Sequence, residues 1–124
     1  MCGRFGKDRR ILRADDYREV FKGATFRRGQ KEFMLLARHN DRSFHRLGLA
    51  VAKKHVRLAT QRNRIKRGAR EAFRQMCSDE PGLDIIFLTR PGASAADKRV
   101  FIKDLPRQLQ QLCRATRTED DKAS

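Results

Sequence analysis

The sequence predicts an α+β fold, a two-layer sandwich of order α-β-β-β-α-β-α in which three helices flank a mixed four-stranded sheet. Three observations lead there. Four short apolar runs are bounded by glycine, proline or polar residues, as strands are. Three segments place apolar residues at i, i+3 and i+4, the spacing of one helical face. A chain of 124 residues that is 39% hydrophobic and has no Trp supports one modest core and not two. Residues 1–115 are therefore assigned to a single domain. Within it, residues 1–11 read as a basic, glycine-containing arm, and residues 116–124 read as a polar, disordered tail.

The first helix is signalled by the acids of Ala14-Asp15-Asp16 and stopped by Gly23. Tyr17, Val20 and Phe21 share one of its faces, so spacing alone reads them as core. Ala24–Arg28 and Glu32–Ala37 read as two strands joined by a turn at Gly29-Gln30, and a polar loop follows over 39–45. In the third strand, Arg46–Val51, the large residues Leu47, Leu49 and Val51 alternate with Gly48 and Ala50. Its small face either accepts a closely packed helix or leaves a groove for a ligand. The second helix spans about Thr60 to Cys77, and Pro81-Gly82 turns the chain into the fourth strand. That strand, Leu83–Leu88, is a nearly continuous apolar run and is expected at the centre of the sheet. The last helix runs from about Ala95 to Arg114 with Phe101, Leu105, Leu109 and Leu112 on one side. Pro106 falls inside that pattern, where it kinks or restarts the helix.

Thirty Lys and Arg against fifteen Asp and Glu leave a net charge of +15. Such an excess associates with phosphate polymers through counterion release and makes nucleic acid the leading partner. The longest apolar run of the strands, Phe33–Ala37, is too short to span a membrane, and the first residues lack the apolar stretch of a signal peptide. A cytoplasmic protein with no membrane association and no obligate protein partner is expected. Cys2, Cys77 and Cys113 are odd in number and far apart, which argues against a disulfide framework and a Cys/His metal site. Cys77 and Cys113 each end an apolar stripe and read as small hydrophobes.

The charge is concentrated. From Lys53 to Arg74 there are nine Lys or Arg residues and one acid, Glu71. On a helical wheel Ile65, Ala69, Ala72, Phe73 and Met76 cluster on one side. Asn63, Lys66 and Arg70 line one polar edge, Arg64, Arg67 and Glu71 the other, with Arg74 between them. Like charges at 62, 66, 70 and 74 repel along the helix, a pattern that phosphates neutralise. Guanidinium offers forked donors to phosphate and a plane for stacking, and the Asn63 amide can read a base edge or a ribose hydroxyl. No catalytic group of the protein's own is found. His39, His45 and His55 lie in loop or connecting segments, no Ser or Cys sits in a nucleophile motif, and Asp15, Asp16 and Asp84 read as capping or surface acids.

The segment Ala59–Arg74, with Arg62-Asn63-Arg64 at its head, resembles the signature of the bacterial ribonuclease P protein subunit. The resemblance extends to Tyr17-x-x-x-Phe21, to Arg46–Lys54 and to Arg90-Pro91-Gly92, and it covers roughly residues 9–114. It implies a ribonuclease P protein-like fold with a left-handed βαβ crossover, a handedness that the general rule for such units disfavours. It also implies a ribonucleoprotein whose RNA subunit, with Mg²⁺, hydrolyses the bond joining the 5′ leader to the rest of precursor tRNA. The ribonuclease P RNA and precursor tRNA are then the partners, and Mg²⁺ is bound mainly by RNA, with no metal site in the protein. Carried onto this chain, Arg62, Arg64, Arg67, Arg74, Lys53 and Lys54 contact the catalytic RNA. Tyr17, Phe21, Phe33, Asn63, Lys66 and Arg70 belong to a leader-binding cleft, floored by Phe33 and Leu35 or alternatively by Met34 and Leu36. Charge and fold alone also fit a ribosomal or other structural RNA-binding protein, and a protein-only nuclease is the third alternative.

Overall fold

The computed structural model describes residues 14–24, 26–40, 45–75, 82–95 and 99–123. The elements are α1 (Ala14–Gly23), β1 (Phe26–Gly29), β2 (Phe33–His39), β3 (Arg46–Ala50), α2 (Ala59–Arg74), β4 (Leu83–Thr89) and α3 (Leu105–Ala123). The strands form one sheet in the order β1-β2-β4-β3. β1 pairs antiparallel with β2 and β2 antiparallel with β4, whereas β3 and β4 run parallel and are joined by α2. The apolar run of β4 does occupy an interior position, hydrogen-bonded on both sides, where polar side chains would be desolvated.

Side chains alternate across the pleat, so the register sorts them into two faces. On one face Phe33, Leu35, Ala37, Leu47, Leu83, Ile85 and Phe87 meet Ile65, Ala69, Ala72 and Phe73 of α2 and Leu105, Leu109 and Leu112 of α3. The other face carries a smaller cluster of Val20, Leu36 and Ile86 beneath α1. Helices therefore lie on both faces, and α1 makes a partial third layer where two layers were expected. Burial of this apolar surface, at roughly 25 cal/mol per Å², is the main force holding the elements together.

The C-terminal region departs most from expectation. The chain leaves β4 through a short 3₁₀ turn, Pro91–Ala95, and Val100–Asp104 form a π-helical turn before α3. Pro106 explains where regular helix begins. Lacking an N–H, it is tolerated in the first turn of a helix but not further in, so regular α-helix starts only at Leu105. Ahead of it the Leu105 N–H bonds the Val100 carbonyl, five residues back. The tail expectation for 116–124 is corrected, because α3 continues to Ala123. No glycine or proline follows Pro106 to end it. The 1–11 arm, Cys2, Cys77, Met76 and the capping acids Asp15 and Asp16 lie outside the residues or side chains described.

Candidate nucleic-acid interface

Across the face that carries α1, the register lines up three rows of side chains. Gly29, Met34, Leu88 and Ala50 form one row, Arg27, Leu36, Ile86 and Gly48 the next, and Arg38, Asp84 and Arg46 the third. α1 covers the second and third rows. Val20 packs with Leu36 and Ile86. Glu19 reaches the Arg38 guanidinium at 3.7 Å. At 100° per residue Tyr17 and Phe21 lie on the flank of α1 opposite Glu19, and thus toward the first row. Met34, Leu88 and Ala50 in that row are only half-buried, and Phe21, on the flank of α1 turned toward that row, is 48% exposed. The result is an apolar groove with one aromatic wall.

Tyr17 settles the question left by the small face of β3. Its ring lies directly over Gly48, where a Cβ would come within 2.9 Å of the ring atoms. Its hydroxyl accepts the Leu49 N–H at 2.8 Å and donates to the Leu49 carbonyl at 3.1 Å. β3 is an outer strand, and Leu49 presents both backbone groups to the unpaired edge, so the phenol stands in for a missing strand. Burial pushes the phenol above its ordinary pKa, against the lowering effect of the Leu49 hydrogen bond. The small face thus accepts α1 at Gly48 and stays open at Ala50.

Phe33 requires correction as a cleft residue. It is fully buried on the opposite face and stacks on Phe87 with ring centroids 5.5 Å apart. The floor next to α1 is formed by the alternative pair Met34 and Leu36, to which the structure adds Leu88 and Ala50. The surface reading of Asp84 is corrected as well. Its side chain is 0% exposed and receives two 2.7 Å hydrogen bonds from Arg46, through Nε and Nη2, and one of 3.0 Å from the Asn40 amide. An aspartate inside an otherwise apolar strand was the signal, because a buried carboxylate must be paired.

The cationic segment divides as the wheel suggests. Lys53 and Lys54 are exposed at the tip of a turn closed by the N–H groups of His55 and Val56 donating to Ala52 O, both at 3.1 Å. Thr89 anchors that turn, its hydroxyl accepting the Ala52 N–H at 2.9 Å and contacting His55 Nδ1 at 3.2 Å. Arg62 braces it from α2, donating from Nη1 to Val56 O at 3.0 Å and to Arg57 O at 2.8 Å. Asn63, Arg64, Arg67 and Arg70 are exposed and Lys66 is half-buried. Arg74 pairs with Glu71 at 3.0 Å. The flank bearing Lys66 and Arg70 also bears Phe73, whose ring meets His45 at the entry to β3. On the opposite flank Gly68 faces Phe101, and Arg64 and Arg67 border a groove there. The two edges of α2 are separate surfaces. The histidines have structural partners: His45 Nδ1 accepts the Leu83 N–H at 3.1 Å, and the His39 ring packs edge-on against Phe26.

Glu19, Glu32, Glu71, Asp84 and Asp104 are all engaged by Arg or Gln side chains. Among the described residues no three His, Cys, Asp or Glu side chains gather as a metal site would require. This donor set does not fit a hard divalent cation, which needs several free oxygens.

Fold and surface define the class first: a small basic α+β protein with a cationic helix and an apolar groove, suited to a polyanion that also presents flat bases. Comparison with known proteins specifies it further. Residues 5–113 match the Ribonuclease P family. The chain is 46% identical over 93 residues to the ribonuclease P protein component of Marinobacter nauticus, covering 75% of this chain and 70% of that one. It is 37% identical to that of Saccharophagus degradans, covering 98% and 93%. Among solved structures it resembles the RNase P proteins of Staphylococcus aureus (26% identity, TM-score 0.68, covering 86% and 94%) and Thermotoga maritima (31%, 0.65, covering 83% and 94%). The chain belongs to the ribonuclease P protein family, whose members work with an RNA subunit in the ribonucleoprotein endoribonuclease that processes the 5′ leader of tRNA.

Proposed function

We infer that the chain stands between two RNAs. The single-stranded leader of precursor tRNA lies in the groove between α1 and the first row of the sheet, and the catalytic RNA lies along the Lys53-Lys54 turn and the Arg64 and Arg67 flank of α2. The observation that carries this reading is the separation of the two edges of α2, one directed to the β3 edge that Tyr17 grips, the other away from it. Phe21, Met34 and Leu88 offer a half-exposed apolar surface on which bases stack, and stacking tolerates sequence variation as a leader requires. Asn63, Lys66 and Arg70 supply cations and an amide at its border.

Mg²⁺, in this reading, is held by phosphate oxygens of the RNA, and it supplies charge neutralisation and a nucleophilic water at the scissile bond. The protein orients the leader and neutralises nearby phosphates, which lowers the Mg²⁺ concentration needed to hold two polyanions together. The assembly is expected in the cytoplasm. Comparing Lys66→Ala with Arg67→Ala tests the division. Lys66→Ala should weaken precursor tRNA binding by the holoenzyme, and Arg67→Ala should weaken catalytic-RNA assembly, each by several-fold. Identical defects of both variants in both assays would contradict it.

A further inference from the structure

The groove between α2 and the π-helical turn has a volume of about 630 Å³, within the range of sites that take a small organic molecule. Its floor is Ile65, Gly68 and Ala72, its outer wall is Phe101 and Ile102, and Arg64 and Arg67 stand at its rim. Three features suggest that something seats there. Ile102 is 68% exposed although Val100 and Leu105, in the same stretch, are buried. The π turn that carries it outward is a local irregularity of a kind often retained at functional sites. Among the described residues neither Arg64 nor Arg67 has an ion-pair partner, because Glu71, the acid lining the groove, is held by Arg74.

We propose that this groove receives one unstacked nucleotide of the catalytic RNA, its base against Phe101 and Ile102 and its phosphates against Arg64 and Arg67. The inference rests on the reading of that flank as the side that meets the catalytic RNA. Single-stranded RNA is the occupant that satisfies both halves of the site, since each nucleotide joins a flat, weakly polar base to an anionic phosphate. An apolar peptide would desolvate two guanidinium groups without pairing them. A paired helix presents no base face to such a groove. Gly68 matters here because a Cβ at that position would come within 2.6 Å of Phe101 and push the ring into the space the base needs.

The test uses the full chain assembled with its ribonuclease P RNA. Ile102→Asp, at an exposed position, should leave the circular dichroism and the melting temperature unchanged and weaken RNA affinity about tenfold, the scale of one lost stacking contact. Arg64→Ala should act in the same direction with a shallower salt dependence. A photoreactive benzoylphenylalanine at position 102 should crosslink to a single unpaired nucleotide. Affinity of Ile102→Asp within about twofold of the parent, or crosslinks to paired RNA, to another protein or to a second copy of the chain, would overturn the proposal. A Lys53→Ala/Lys54→Ala double variant separates the levels. If it loses RNA affinity while Ile102→Asp does not, only the groove is refuted. If neither loses affinity, the placement of the catalytic RNA falls as well.

Discussion

The hydroxyl of Tyr17 holds both backbone groups of Leu49 while its ring rests on Gly48, so one side chain attaches α1 to the open edge of the sheet. This chain contains a single Tyr and no Trp, which makes the phenol directly observable by ultraviolet absorbance. A phenol whose folded pKa is raised contributes stability in full below its unfolded pKa near 10, and that contribution is lost as pH rises through the folded value. An absorbance titration should therefore show a midpoint above 10 in the native protein that returns to about 10 in denaturant. Gly48→Ala should displace the ring and bring the native midpoint down. A native midpoint equal to the denatured one would show that the phenol is not buried. Asp84 acts at the other end of the same face. Asp84→Asn leaves the Arg46 guanidinium without its bidentate partner and should cost about 3 kcal/mol in urea denaturation, the scale for breaking a buried ion pair. The role of Tyr17 was not legible in the sequence, because a phenol at helical spacing states nothing about the element it faces, whereas the lone acid of an apolar strand signalled that Asp84 is paired without naming Arg46 as its partner.

At the scale of the elements, the strands and helices were readable and their faces were not all readable. β4 announced its interior position by an apolar run, and the α2 stripe of Ile65, Ala69, Ala72 and Phe73 is buried as the wheel predicts. In Phe33-Met34-Leu35-Leu36-Ala37 every residue is apolar, so alternation cannot assign the two sides, and the register with β4 decides. Phe33 consequently belongs to the α2 and α3 side and Met34 to the groove. The restart at Pro106 was foreseen as one of two outcomes, whereas the π turn before it, which carries Phe101 against Gly68, was not. That contact yields a prediction of unusual sign. Gly→Ala inside a helix normally stabilises by up to about 1 kcal/mol, but Gly68→Ala should lower stability by about 1–2 kcal/mol, since overpacking a tight contact outweighs the propensity gain. A rise in melting temperature would contradict the packing described.

For the whole molecule, charge and topology together set the function. A net charge of +15 spread evenly would bind any polyanion, and the fold instead gathers much of it on α2 and the turn before it, leaving the groove under α1 apolar. In the proposed function the RNA carries the metal chemistry and the protein does the positioning. That division is tested most directly by reconstitution: ribonuclease P RNA and precursor tRNA, with and without the chain, over a series of Mg²⁺ concentrations. The expected result is no cleavage by the chain alone, and stimulation of the RNA that is largest at limiting Mg²⁺ and fades as Mg²⁺ rises. Cleavage by the chain without RNA, or stimulation of the same size at every Mg²⁺ concentration, would contradict it.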